Sequence, residues 1–236
     1  MFLVIAGALI LILLFAPTEQ SGSYHNFADK RTLLAIPNFL DVVSNLAFLI
    51  VGVAGLKICM GKGLGGLRNA WLVLFSGITL VSIGSAYYHL NPNNETLVWD
   101  RLPMTIGFMG LFVALLGEYI DERLRVLLLP SILLGLASVL YWHLHDDLRL
   151  YIWVQIIPLV AIPIIMLLHR PRFSHQWLLL AALGFYLLAK ICEYYDEQVF
   201  EASHRIASGH TIKHLLSAVG CLLIVIMLQK RDIRSI

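Results

Sequence analysis

Charge is what this sequence has least of. Only 14% of its 236 residues are Asp, Glu, Lys or Arg, while 59% are apolar and the mean hydropathy is +0.80. A soluble domain of this length needs more charge to cover its surface, so most of the chain must face lipid. The formal net charge of +2 is too small to argue for a nucleic-acid partner. Cysteine is scarce as well. Cys59, Cys192 and Cys221 are far apart and odd in number, which excludes a disulfide framework and a CxxC metal pattern. They read as small buried hydrophobes. A basic start is also missing. The opening MFLVIAGALILILLFAP lacks the positive residues of a signal peptide, and LFAPTEQ is a poor cleavage site. Residues 1–17 therefore read as an uncleaved anchor helix.

What is present is a series of long apolar runs. A bilayer core about 30 Å thick needs roughly 20 helical residues to cross it. After the anchor, that ruler marks residues 36–57, 68–90, 102–120, 124–142, 149–168, 175–193 and 207–228. The expected fold is an all-α polytopic membrane bundle with seven core transmembrane helices. Residues 18–35 form an outer-side loop, 36–228 the seven-helix domain and 229–236 a basic tail. Lys57, Lys62, Arg68, Arg123, Arg125, Arg170, Arg172, Lys230, Arg231 and Arg234 fall on one side of the bundle. Lys30, Arg31, Arg101, Arg149 and Arg205 fall on the other, together with Asp146, Asp147, Asp196, Glu197 and Glu201. The positive-inside rule puts the first set in the cytoplasm. The five tryptophans, near span ends, read as an interfacial belt.

Ionisable groups inside such spans are costly and mark function by default. Asp41, His89, Asp100, Lys190, Glu193, His210, Lys213 and His214 all lie near outer span ends. Ser85 and His89 are four apart on one helical face, and His210 and His214 repeat that spacing on the last helix. Three imidazoles with an open fourth position suit a catalytic zinc, which activates water and polarises a carbonyl. Asp100, brought back beside His89 by the NPNN turn, can accept the proton, and Ser85 can donate to a developing oxyanion. Each element also has a plain reading. HxxxH pairs are common on helices, Asp100 fits a cap ahead of Arg101 with Pro103 in the first turn, and Ser85 can bond its own helix. The remaining histidines suit loops and interfaces, and Asn94-Glu95-Thr96 is a weak glycosylation sequon.

The ordered set Ser85-x-x-x-His89, Asp100 and His210-x-x-x-His214, with PNFLDVVSNLAFLIVG on the first core helix, resembles the alkaline ceramidase family. That family belongs to a superfamily of seven-span hydrolases that includes the adiponectin-type receptors. The resemblance runs from about residue 36 to 228. It implies zinc held by His89, His210 and His214, Asp100 as general base and then acid, and Ser85 stabilising the tetrahedral intermediate. It also implies a ceramide-like lipid amide as substrate. Animal members carry a calcium site of acidic residues before the first core helix. Here Asn38 stands in place of a family glutamate, and Asp29 is flanked by Lys30 and Arg31. The calcium site is therefore expected to be absent. Two other readings stay open: a lipid sensor with a structural zinc, and a bis-His haem protein, although no CxxCH motif occurs. Short loops and the missing calcium acids favour a bacterial inner membrane over an ER or Golgi membrane, with the site towards the non-cytoplasmic side.

Overall fold

The computed structural model describes residues 2–170 and 172–233; Met1 of the anchor segment and Arg234 of the tail lie outside the described residues. The described residues are helical, apart from turns and isolated bridges. In chain order the helices are α1 (Phe2–Leu13), α2 (Phe39–Val43), α3 (Leu46–Gly61), α4 (Arg68–Leu90), α5 (Asn94–Tyr119), α6 (Leu128–His145), α7 (Arg149–Leu168), α8 (Leu178–Tyr194), α9 (Asp196–Ala202) and α10 (Gly209–Lys230). Among the described residues, six stretches are long and apolar enough to cross a membrane, and α8 with α9, bent by 87°, makes a seventh if counted as one span. The seven core spans expected from hydropathy are thus present as helices. At 12 residues, α1 is about 18 Å long and by itself falls short of a bilayer core.

The axis of the bundle is α5. Within its apolar window 78% of residues are buried, against 17% for the span containing α6. Lipid tails offer no hydrophobic gradient between helices, so close packing must hold them together. The seam between α4 and α5 does this through glycine. A Cβ on Gly84 would lie 2.0 Å from the Trp99 carbonyl oxygen. That carbonyl is the one left without its helical partner by Pro103, four residues on, which has no N–H.

Two expectations change here. Helix α5 begins at Asn94, six residues before Asp100, because Asn93 and Thr96 form a reciprocal capping box. Asp100 is therefore inside the helix and caps nothing, and Pro103 is an interior proline. Thr96, the last residue of the sequon, is held in that box. The tryptophans also divide. Trp99 and Trp177 are exposed, as a belt requires, but Trp71, Trp142 and Trp153 are buried inside the protein. Trp71 is drawn in by a polar partner, donating its indole N–H to Glu118 at 3.0 Å.

The first core span is broken at Ser44-Asn45, between α2 and α3. The carbonyl of Asp41, released at the break, accepts from Ser44 Oγ at 3.1 Å and Asn45 Nδ2 at 2.7 Å. Side chains thus replace the missing helical donors, as a break at membrane depth demands.

Candidate metal centre

Helix α4 delivers His89 in its last turn, and α10 delivers His210 and His214 in its first two. Three local devices aim them. Ser208 caps α10 by accepting from Thr211 N at 3.0 Å. Thr211 Oγ1 donates to the buried Asp41 carboxylate at 2.6 Å, which ties the start of α10 to α2. Gly209 lets α10 touch the end of α8, since a Cβ there would meet the Cys192 carbonyl oxygen at 2.1 Å. The backbone N–H of His210 then donates to Asp196 Oδ1 at 2.7 Å.

The structure brings His89, His210 and His214 together. All three are buried, and one ring nitrogen from each lies within 4.8 Å of the others. His89 Nε2 and His210 Nε2 are 3.2 Å apart. Two nitrogens bound to one tetrahedral zinc at about 2.05 Å would be separated by about 3.3 Å, so this pair fits the ion. The third ring carries its own evidence of fit. Ser44 Oγ donates its single proton to the Asp41 carbonyl, so at 2.7 Å it accepts from His214 Nδ1–H. That bond assigns the proton to Nδ1 and leaves the Nε2 lone pair free for a ligand. The imidazole centroids lie 4.8, 5.0 and 4.9 Å apart, with the rings packed directly on one another. No porphyrin plane fits between them, which removes the haem reading.

Asp100 and Ser85 are buried beside this cluster, with the Ser85 hydroxyl in reach of the Asp100 carboxylate. Both line a cavity of about 320 Å³, together with His214. That volume is within the range of small-molecule pockets. Asp100, Lys190, Glu193 and Lys213 gather at one end of it, and Phe108, Leu111, Ile162 and Ile224 line it deeper in the bundle. All five residues singled out from sequence thus meet in one region on three helices.

Several residues around the site were not assigned roles from sequence. Lys213 Nζ contacts His210 Nε2 at 2.8 Å and Glu193 Oε1 at 3.0 Å, and Lys190 pairs with the same Glu193. Their position inside a span was the only available signal. Phe27, from the loop before α2, packs on His89 and His210 with centroids 4.7 and 4.4 Å away. No periodicity marks such a loop contact. Tyr24 from the same loop lines the cavity, and burial pushes its phenol up to about 12. It therefore stays protonated as a donor at neutral pH. Asn38 donates to the His89 carbonyl at 2.8 Å. Burial pushes the Asp29 carboxyl up, but hydrogen bonds from Arg31, the closest at 2.6 Å, outweigh this and hold it below the usual carboxylate range.

Comparison with curated proteins finds no match, and neither does comparison with solved structures. A sequence model of one family, described as Ceramidase, matches residues 31–234, which include every residue of the histidine cluster as well as Ser85 and Asp100. With nearly the whole chain covered by that match, the protein belongs to the Ceramidase family.

Proposed function

We propose that the protein is a membrane-embedded, zinc-dependent amidase that cleaves ceramide or a related N-acyl lipid to a free fatty acid and a sphingoid base or amine. The observation that carries this reading is the convergence of three buried imidazoles with Asp100 and Ser85 at the polar end of one largely apolar cavity. His89, His210 and His214 would hold the zinc, which when bound supplies an activated water and polarises the amide carbonyl.

The chain's own groups do the rest. The deep apolar lining takes the acyl chain and keeps bulk water from the reacting carbonyl. Asp100 takes a proton from the attacking water and returns it to the amine nitrogen as the C–N bond breaks. Returning that proton matters because an amide anion is a very poor leaving group. The Ser85 hydroxyl turns its single proton from the Asp100 carboxylate to the carbonyl oxygen as that oxygen gathers negative charge. Ser44 keeps His214 in the tautomer that binds metal.

The site would face the non-cytoplasmic side, because Lys62, Arg68, Arg125 and Arg231 gather at the opposite end of the bundle. A bacterial inner membrane is the proposed location.

Elemental analysis of purified protein, paired with fatty-acid release from a defined ceramide, tests the reading. We expect about one zinc per chain, lost in His214→Ala but kept in Asp100→Asn, with turnover lost in both. Turnover retained in both variants overturns the mechanism. Zinc without turnover on any N-acyl lipid would favour a sensor.

A further inference from the structure

Arg101 follows the proposed proton carrier in the chain and has no role in the reaction as described. It is 4% exposed and lines the same cavity. Its guanidinium sits in an aromatic cage, 4.0 Å from the Trp142 centroid, 4.6 Å from Tyr151 and 5.6 Å from Tyr24. Nη2 donates to Gln20 Oε1 at 2.5 Å, while Nε and Nη1 are buried without a hydrogen-bond partner. Among the described residues, no carboxylate makes an ion pair with it.

A buried cation with two idle donors needs an explanation. Aromatic faces return about 2 kcal/mol to a desolvated cation. Burying the charge costs several kcal/mol, and each unmet donor adds about 1–3 kcal/mol. The cage therefore does not offset the burial by itself. No direct ion pair offsets it either. The cavity is lined by the cations Arg101, Lys190 and Lys213 against the carboxylates Asp100 and Glu193. Both lysines contact Glu193, so the lining carries one more cation than carboxylate, and neither carboxylate forms an ion pair with Arg101.

We propose that Arg101 is a headgroup-reading residue that binds an anionic group, of carboxylate type, on the amine half of the N-acyl substrate. The shape of the cavity gives this placement. Asp100 and Arg101 lie near the start of α5, whereas Phe108 and Leu111 lie two to three turns deeper on the same helix. An acyl chain in the deep apolar part leaves the amine half at the polar end, beside the guanidinium. Nε and Nη1 each share an edge of the planar guanidinium with Nη2, so a carboxylate can be held by one idle donor together with the second N–H of Nη2, and a single hydroxyl would satisfy only part of that edge. The inference rests on the amidase reading for the orientation of the lipid, and its test is a binding measurement that needs no turnover.

The probes are N-(dodecylsulfonyl)glycine and N-(dodecylsulfonyl)ethanolamine, whose sulfonamide resists hydrolysis, together with dodecanoate. Calorimetric titration of the zinc-loaded wild type should show the glycine probe binding about tenfold or more tighter than the neutral one. In Arg101→Gln that ratio should collapse to about twofold or less, and Arg101→Lys should restore only part of it. Equal binding of the two probes by the wild type overturns the proposal without recourse to any variant. So does a ratio unchanged in Arg101→Gln that keeps its zinc and its thermal transition. If Arg101→Gln weakens dodecanoate as much as the glycine probe, Arg101 holds the product carboxylate instead, and the headgroup assignment is overturned. Failure of the amidase reading would show separately, as absence of fatty-acid release from every N-acyl lipid.

Discussion

The contact between Gly84 and Trp99 offers a sharp test of how the α4–α5 seam sets the site. Replacing Gly84 by alanine puts a Cβ 2.0 Å from the Trp99 carbonyl oxygen. The closest tolerable C···O approach is about 3.3 Å, so the helices must part by about 1.3 Å at that point. A backbone oxygen cannot swing aside as a side chain can, so α5 itself has to move. Asp100 is the next residue after Trp99, and Ser85 the next after Gly84, so the separation falls directly on the Ser85–Asp100 pair. A misplacement of about 1 Å at reacting groups costs on the order of 10²-fold in rate. The histidines are less affected, because His89 lies a further turn along α4 and its partners stand on α10. Gly84→Ala should therefore keep about one zinc per chain while fatty-acid release falls about 100-fold, with overpacking costing about 1–3 kcal/mol of stability. Gly184→Ala, which meets nothing within 4 Å, is the matched control. Turnover within about threefold of wild type in Gly84→Ala would refute the claim that this seam aligns Asp100.

Three further outcomes follow from the same geometry. Ser44→Ala removes the acceptor for His214 Nδ1–H and should weaken zinc binding about 10–100-fold in a chelator competition; unchanged affinity would show that Ser44 does not set the tautomer. At the opposite end of the bundle, Glu118 accepts from Trp71, Gln176 and Arg231 while fully enclosed. Arg231→Met alone should cost about 3–5 kcal/mol by stranding a buried carboxylate, and Glu118→Gln in the same chain should recover much of it, read from thermal or denaturant unfolding. Finally, hydrogen bonds from Arg149 hold the Asp147 carboxyl below the usual carboxylate range. A depressed folded value stabilises fully above the unfolded value of about 3.9 and is lost as pH falls through the lower folded one. Asp147→Asn should therefore melt earlier than wild type at neutral pH, and the gap should close as the pH is lowered below that window.

How much of this was legible in the sequence depends on which force wrote each feature. The spans were, because crossing lipid demands apolar length regardless of tertiary detail; α4 and α7 begin and end where the hydropathy runs do, at residues 68–90 and 149–168. Helix α5 was misplaced because its signals conflict. Asp100 followed by a proline three residues on looks like a helix start, but the true start is the Asn93–Thr96 capping box in a polar stretch that hydropathy passes over. The break at Ser44-Asn45 was hidden for the opposite reason, since the apolar run continues across it and only side-chain bonds to Asp41 O reveal it.

The candidate site was legible to the extent that it is made of rare residues in a costly place. Three histidines, one aspartate and one serine stand out against apolar spans by their desolvation cost alone, and i, i+4 spacing pairs them within a helix. What spacing cannot supply is the relation between helices. That relation comes from close contacts such as Gly84 on Trp99 and Gly209 on Cys192, which carry no periodic signal. The same limit explains Arg101. Counted in a row of loop charges it is one basic residue among five on its side of the bundle, and nothing in its neighbours along the chain says that Trp142 and Tyr151, 41 and 50 residues later, close around it. Its burial is a tertiary fact, and a charge buried by tertiary packing without an ion-pair partner and with idle donors is where substrate recognition has to be sought.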